Sequence, residues 1–341
     1  MKKKTTIYDI AKEVNLTAAT VSRALNNNPK ISENTRKLVQ ETALRMNYEQ
    51  NTLARALKSG KSHNVGVIVP RMDSNFFASV IRGIEEELYP KGYHVIVCQT
   101  HDQENLETGN IMSLLNAQVD GILMSISNAK TKNKIFQSIS QKRVPLIFFD
   151  RKKEIPGFSS VTIDDFNGAY QATKHLIEQG CKRIAHLSNN RSLEIFKNRY
   201  LGYKQAIIDH GLEFDESIVI ETFSKVLEGR KTTKKLLNMD NPPDAIFSSS
   251  DFTALGAIQE IKEQGLRIPE DISVIGFSNE PFTKFMELSI TSVDQSPIEM
   301  GRIAAKVFLE EVDSDTPNQK NEKIVLQPEL IIRDSSLKVK A

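Results

Sequence analysis

Only two cysteines, Cys98 and Cys181, occur in the 341 residues of this chain. They are too few and too far apart for a disulfide framework or a zinc site, which fits a reducing compartment and implies no metal and no cofactor. There is no glycine-rich phosphate loop, no His-Glu-x-x-His and no Gly-x-Ser-x-Gly, and the six histidines are scattered at positions 63, 94, 101, 175, 186 and 210. An enzyme would need a nucleophile or an acid–base constellation, and no such centre is visible. No apolar run approaches the length that spans a membrane. Lys2, Lys3 and Lys4 lead into polar, helix-forming sequence and not into the apolar core of a signal peptide, so the chain is expected to stay in the cytoplasm.

Charge is present in near balance overall, at a net +2, but it is unevenly spread. Residues 1–61 carry twelve Lys or Arg against five acids, about +7, which leaves about −5 for the rest. A basic head sits on an acidic body.

Within that head, Ile7, Ile10, Ala11 and Val14 recur at the spacing of one helical face, and the pattern breaks at Asn15 and Leu16 before restarting. Thr17 is placed to cap a second helix in which Val21 and Leu25 point inward. Ala18, Ala19, Ser22, Arg23 and Asn26 are left on the outer face. Two short helices with a tight turn between them, followed by a third capped by Ser32 with Leu38, Val39, Thr42, Ala43 and Met46 inward, describe a three-helix domain over 1–50. The segment 51–58 is helical in propensity but about two turns long, and isolated helices of that length are marginal in water. With the flexible 59–62 it reads as a linker whose order depends on a partner.

From residue 63 the texture becomes that of alternating strands and amphipathic helices, the pattern of parallel βαβ units. One series has strands over 65–69, 94–98, 121–124 and 145–149. A second has strands over 160–163, 183–187, 218–221, 245–247 and 273–275. Two such lobes in tandem imply a cleft between them, with ligands collecting at the carboxyl ends of the strands. Phe76 and Phe77 could wall that cleft. Asp150 and Asp251 fall at strand ends, where a carboxylate can accept hydrogen bonds from hydroxyls, and Arg199 could fork onto vicinal hydroxyls or a carboxylate.

Several segments match a known pattern in order and at its spacing. In the head they are Thr6-Ile-Tyr-Asp-Ile-Ala11, Ala19-Thr-Val-Ser-Arg23, Ser32-Glu-Asn-Thr-Arg36 and Asn51-Thr-Leu-Ala-Arg-Ala-Leu57. In the body they are Val119-Asp-Gly-Ile122, Asp251-Phe-Thr-Ala-Leu-Gly256 and Ile268-Pro-Glu-Asp-Ile-Ser-Val-Ile-Gly-Phe277. Over essentially its whole length the chain resembles the lactose-repressor (LacI/GalR) family of bacterial transcription regulators.

The resemblance implies an α-helical helix-turn-helix head, a hinge helix over 51–62, and an α/β two-lobed core like the periplasmic binding proteins, built of doubly wound parallel sheets. The first lobe is expected over 63–162 plus 293–322 and the second over 163–292 plus 323–341. It further implies a homodimer that binds a pseudo-palindromic DNA operator under the control of a small, sugar-like effector. The residues carried over for DNA are Thr17, Ala18, Ala19, Thr20, Ser22, Arg23 and Asn26 in the head, with Asn51, Ala54, Leu57 and Lys58 in the hinge. For the effector they are Phe76, Phe77, Asp150, Arg199, Phe223, Asp251 and Asn279. Arg23 suits guanine O6 and N7, small methyls suit thymine, and Leu57 suits a wedge between base steps. One departure stands out: Gly276-Phe277 is followed by Ser278, where the family often has Asp. A stand-alone sugar sensor is the alternative, but it would carry a signal peptide and no basic head.

Overall fold

The computed structural model describes residues 5–49, 60–127, 133–314, 316–318 and 320–338, with backbone alone at 133 and 134. The chain divides into two compact units, Met1–Ser62 and His63–Ala341. The expected hinge helix over 51–58 lies outside the described residues.

The first unit contains α1 (Ile7–Glu13), α2 (Ala18–Leu25) and α3 (Glu33–Arg45). Each helix starts on a hydroxyl cap. Thr6 and Asp9 form a reciprocal box, Thr17 accepts from the Thr20 backbone N–H, and Ser32 accepts from that of Thr35. The turn between α1 and α2 is left-handed at Asn15 (φ 51°), a conformation asparagine tolerates. Ile10, Ala11, Val21, Ala24, Val39 and Ala43 are buried and close the core.

Two details differ from the sequence expectation. Ala18 is half-buried and packs on this core, because it lies three residues before the central Val21 and so on the same face. Leu38 is exposed, and Val39 alone of that pair turns inward.

The second unit begins with β1 (Asn64–Val69), α4 (Asn75–Leu88), β2 (His94–Gln99), α5 (Glu104–Asn116), β3 (Gly121–Met124), α6 (Asn133–Gln141), β4 (Leu146–Phe149) and β5 (Ser159–Ile163). It continues with α7 (Asp165–Glu178), β6 (Ile184–Ser188), α8 (Glu194–Asp209), β7 (Val219–Glu221), α9 (Val226–Leu237), β8 (Ala245–Ser248), α10 (Asp251–Glu263), β9 (Ser273–Phe277) and α11 (Phe282–Phe285). The chain ends with β10 (Thr291–Asp294), α12 (Pro297–Val312), β11 (Lys323–Leu326) and β12 (Glu329–Ile331).

Among the described residues twelve strands form two sheets, ordered β11-β5-β4-β3-β1-β2 and β12-β10-β9-β8-β6-β7. All neighbours are parallel except the β10–β12 pair. The inner strands are buried along nearly their whole length because helices cover both faces. Helix α12 crosses α4 closely enough that a Cβ on Gly83 would stand 2.1 Å from the Ile298 carbonyl oxygen, so glycine is what permits the approach.

The chain therefore passes between the lobes three times: after β5, after β10 and after β11. This corrects the sequence boundaries in three places. The strand at 160–163, read as the start of the second series, is β5 and pairs with β4 in the first sheet. Residues 293 and 294, assigned to the first lobe, are the end of β10 in the second sheet. The segment Lys323–Leu326, assigned to the second lobe, adds in parallel to β5 at the edge of the first. Its alternating exposure is that of an edge strand, and periodicity alone does not say which sheet an edge strand joins.

Candidate DNA-reading helix and ligand cleft

On α2 the Arg23 side chain is exposed, as are Thr17, Ala19 and Asn26, whereas Ala18, Thr20 and Ser22 are half-buried. The Thr17 and Thr20 hydroxyls are 2.9 Å apart, and the Asn26 amide donates to the Ser22 carbonyl at 2.8 Å. Tyr8 on α1, which the sequence reading left without a role, is 73% exposed. Its signal was available: a large aromatic on the outward side of a helix whose other apolar residues all face in.

Between the lobes of the core, the ends of β4, β8 and β9 and the starts of α4 and α8 surround a cleft. Its inner part, about 100 Å³, is lined by Phe76, Phe77, Asp150, Arg199, Ser250 and Glu280 among others. An outer chamber of about 610 Å³ continues from it and shares Arg71, Arg151, Phe196 and Ser224.

Arg199 anchors the inner wall. Its Nε donates to Asp165 Oδ1 at 2.7 Å, Nη1 to the Ser249 carbonyl at 3.0 Å and Nη2 to Gln295 Oε1 at 3.2 Å. The guanidinium lies 3.6 Å from the Phe277 ring centroid. Burial pushes the Asp165 carboxyl up and the Arg199 charge opposes it, so each of the two compensates the other's desolvation.

Asp150 follows β4 in a left-handed conformation (φ 58°), which turns its carboxylate toward Ser125 Oγ at 3.1 Å. Burial pushes its carboxyl up, against the charges of Arg151 and Arg199. Arg151 donates from Nη1 to Asp102 at 2.6 Å and sits about 6.0 Å from both the Phe77 and Phe196 rings. Among the described residues its buried Nε has no hydrogen-bond partner.

Three of the expected effector residues are placed differently from expectation. Asp251 is fully buried and does not line the cleft, since its two oxygens are taken by Ser292 Oγ (2.6 Å) and the Glu280 backbone N–H (2.7 Å). Asp251 is the first residue of α10, where the side chain turns back along the helix; Ser250, the cap residue before it, faces the cleft instead. Asn279 donates to Asp294 at 2.6 Å and accepts from Arg333 at 2.7 Å, so it braces the β9 turn from behind. Phe223 belongs to the outer chamber and is 69% exposed.

Glu280 is the cleft carboxylate that sequence reasoning missed. It is 5% exposed and is pushed up to about 7 by burial and by neighbouring Asp251, with the nearby Phe76 backbone N–H acting in the other direction. No local pattern marks it, because what makes it a cleft residue is the left-handed pair Ser278 (φ 111°) and Asn279 (φ 48°) just before it.

A helix-turn-helix unit joined to a two-lobed α/β core with a polar interlobe cleft defines a ligand-responsive DNA-binding regulator. Comparison with known proteins agrees. Residues 6–51 match the model described as bacterial regulatory proteins, lacI family, and residues 62–332 match that of periplasmic binding proteins and sugar binding domain of LacI family. The chain is 30% identical to the HTH-type transcriptional repressor PurR of Mannheimia succiniciproducens, over 98% of this chain and 99% of that protein. It is 33% identical to catabolite control protein A of Priestia megaterium, over 91% and 93%. The crystal structure of the Lac repressor dimer bound to operator and the anti-inducer ONPF superposes with a TM-score of 0.86 at 23% identity, covering 98% of this chain and 100% of that one.

The chain belongs to the LacI family of bacterial regulatory proteins. It is a DNA-binding transcriptional regulator and not an enzyme. Among the described residues no helix is long and apolar enough to cross a membrane.

Proposed function

We propose that this protein is a cytoplasmic repressor that reads a pseudo-palindromic operator as a dimer and changes its hold on DNA when a sugar or sugar derivative fills the interlobe cleft. The observation that carries this is the joint presence, in one chain, of an outward-facing Arg23 and Ala19 on a capped second helix and of a cleft walled by aromatics, paired arginines and hydroxyls. Arg23 supplies a bidentate pair to guanine, and Ala19 packs on a thymine methyl; Ala18, turned toward the core, is less suited to that contact. Thr17, Thr20, Ser22 and Asn26 position the helix on phosphates, which fixes register without reading sequence.

Asn51, Ala54, Leu57 and Lys58 are assigned to the minor groove at the operator centre, with Leu57 as the wedge. In the cleft, Asp150 and Arg199 take ligand hydroxyls against the walls of Phe76 and Phe77, while Asp251 and Asn279 hold the turn that presents Ser278 and Glu280. The reading is tested by selecting bound sequences from random DNA with the full-length protein, repeated with sugars, sugar phosphates and purines. Recovery of a two-fold symmetric site whose occupancy a sugar alters supports it. A site insensitive to every sugar but sensitive to a purine overturns the effector class.

A further inference from the structure

The charges that face the inner cleft do not balance. Its three arginines each have an acid of their own: Arg71 donates in a fork to Asp73 at 2.9 and 2.8 Å, Arg151 to Asp102 at 2.6 Å and Arg199 to Asp165 at 2.7 Å. Two carboxylates of the lining are left over. Asp150 accepts from Ser125 Oγ at 3.1 Å and lies 3.7 Å from the Nε of Arg151, a guanidinium it shares with Asp102. Glu280 has less: among the described residues no lysine or arginine stands within ion-pair distance of it, and the Arg71 charge acts on it only through space.

Behind Glu280 lies a second buried carboxylate. Asp251 Oδ2 accepts from the Glu280 backbone N–H at 2.7 Å, so the two acids are one hydrogen bond apart. Burial and the Asp251 charge both work against ionising Glu280. A cation brought to this point relieves the desolvation and the repulsion together, whereas a neutral hydroxyl gains a hydrogen bond and leaves the carboxylate without a counter-charge.

The space beside Glu280 sets the size of that cation. The inner cleft, at about 100 Å³, has little more than the share of liquid volume of three waters at about 30 Å³ each. An ammonium and the carbon that bears it fit there, and a whole sugar ring does not. The ring has room in the outer chamber of about 610 Å³. The inner walls suit the charge as well: Phe76 and Phe77 are buried, with ring centroids 5.1 Å apart, and aromatic faces attract an ammonium. Lys225, the lysine of the outer chamber, is not part of this inner lining.

We infer that the inner cleft is an ammonium subsite with Glu280 as its counter-ion, and that the effector is an amino sugar whose protonated amine enters this subsite while its ring stays in the outer chamber. This rests on the proposal that the cleft binds a sugar-class effector, and it adds the charge of that effector and the residue that selects for it.

The test is isothermal titration of the full-length protein at pH 7, wild type and Glu280→Gln. The ligands are glucosamine, galactosamine and mannosamine, their parent sugars glucose, galactose and mannose, and N-acetylglucosamine, in which the nitrogen is neutral; glucose 6-phosphate and hypoxanthine serve as anionic and purine competitors. At least one amino sugar is expected to bind wild type about tenfold or more tightly than its parent, the size of the gain from a neutral to a charge-assisted hydrogen bond. In Glu280→Gln that ratio should fall to about one. The substitution keeps the shape of the side chain, and a cooperative thermal melt distinguishes lost selectivity from a lost fold; without such a melt, the wild-type ratio of glucosamine to N-acetylglucosamine decides alone. Failure of every amino sugar to bind, a parent sugar or N-acetylglucosamine bound as tightly as the amine, or a ratio that survives Glu280→Gln overturns the ammonium subsite. A neutral sugar bound alongside any of these results leaves the sugar reading intact. Glucose 6-phosphate or hypoxanthine bound with no sugar of either series overturns both.

Discussion

Glu280, carried by the second lobe, and Phe76, the second residue of α4 in the first lobe, line the same inner cleft, and the Phe76 backbone N–H pulls the Glu280 carboxyl down against the burial that pushes it up. Among the described residues the N-cap of that helix, Ser74, makes no side-chain capping bond of its own. A carboxylate facing that uncapped helix start across the cleft has its charge favoured by the helix dipole.

Glu280 carries a pH signature. Glu280 is pushed up to about 7 from a usual glutamate value of 4.5, so the stability that its proton uptake contributes is fully present below about pH 4.5 and lost as pH rises through 7. Glu280→Gln removes this loss, and the variant should be more stable than wild type at pH 8 by about 1–2 kcal/mol. The difference should shrink to near zero or reverse by pH 5. His186, pushed down to about 3 by burial, gives an opposite trend below pH 6.5, but that trend is common to both proteins and cancels in their difference. Denaturant titrations of the pair at pH 5, 6, 7 and 8 check this. A difference that does not vary with pH would remove Glu280 as the titrating group.

The buried ion pair of Asp165 and Arg199 predicts an asymmetry. Arg199→Met leaves Asp165 buried without its counter-charge and should cost about 3–5 kcal/mol in urea unfolding. Replacing both, with Asp165→Leu and Arg199→Met, should recover most of that stability while still abolishing the effector response. Full response in the double variant would show that Arg199 does not touch the ligand.

Ser250→Ala and Asp251→Ala should separate ligand contact from support. Ser250 lines the cleft, so Ser250→Ala should change effector affinity with little effect on the melting temperature. Asp251→Ala leaves the Ser292 hydroxyl and the Glu280 backbone N–H without their acceptor and should cost about 2–6 kcal/mol, at about 1–3 kcal/mol for each buried orphan. Equal loss of stability in the two variants would contradict this division.

In the head, Arg23→Ala should flatten base preference at one position of each half-site, by about 1–3 kcal/mol, while weak binding with a steep salt dependence persists. Fluorescence anisotropy with matched and single-base-changed operators, at two salt concentrations, measures both. An unchanged preference would mean that a different side chain reads that base.

The head was legible in the sequence because its signals are local. Thr6, Thr17 and Ser32 each cap the helix that follows, and the apolar spacing brings Ile10 and Val21 inward. The cleft was legible only in part. Phe76, Phe77, Asp150 and Arg199 sit at strand and helix ends where a parallel sheet collects ligands, and the structure places them together. Asp251 reads in the sequence as a hydroxyl acceptor, like Asp150, because a carboxylate at a strand end is conspicuous, but one residue decides whether a side chain faces the cleft or turns back along its helix, and Ser250 occupies the facing position. Arg151 and Glu280 became cleft residues only through backbone geometry, left-handed at Asp150, Ser278 and Asn279, that residue identity does not announce. Long-range edge pairing was the least visible feature, since β11 and β12 look alike as sequences and join different sheets.

The three passages between lobes have a consequence for synthesis. Neither lobe is a continuous stretch of chain: β11, the edge strand of the first sheet, is made after every strand of the second except β12. A nascent chain emerging from the ribosome can assemble β1 to β5 early, but it leaves the free edge of β5 and the helix face of α4 uncovered until residues 297–326 arrive. A premature stop late in the message would therefore unseat the lobe that was translated first, and the earliest part of the core to form is the last to be completed.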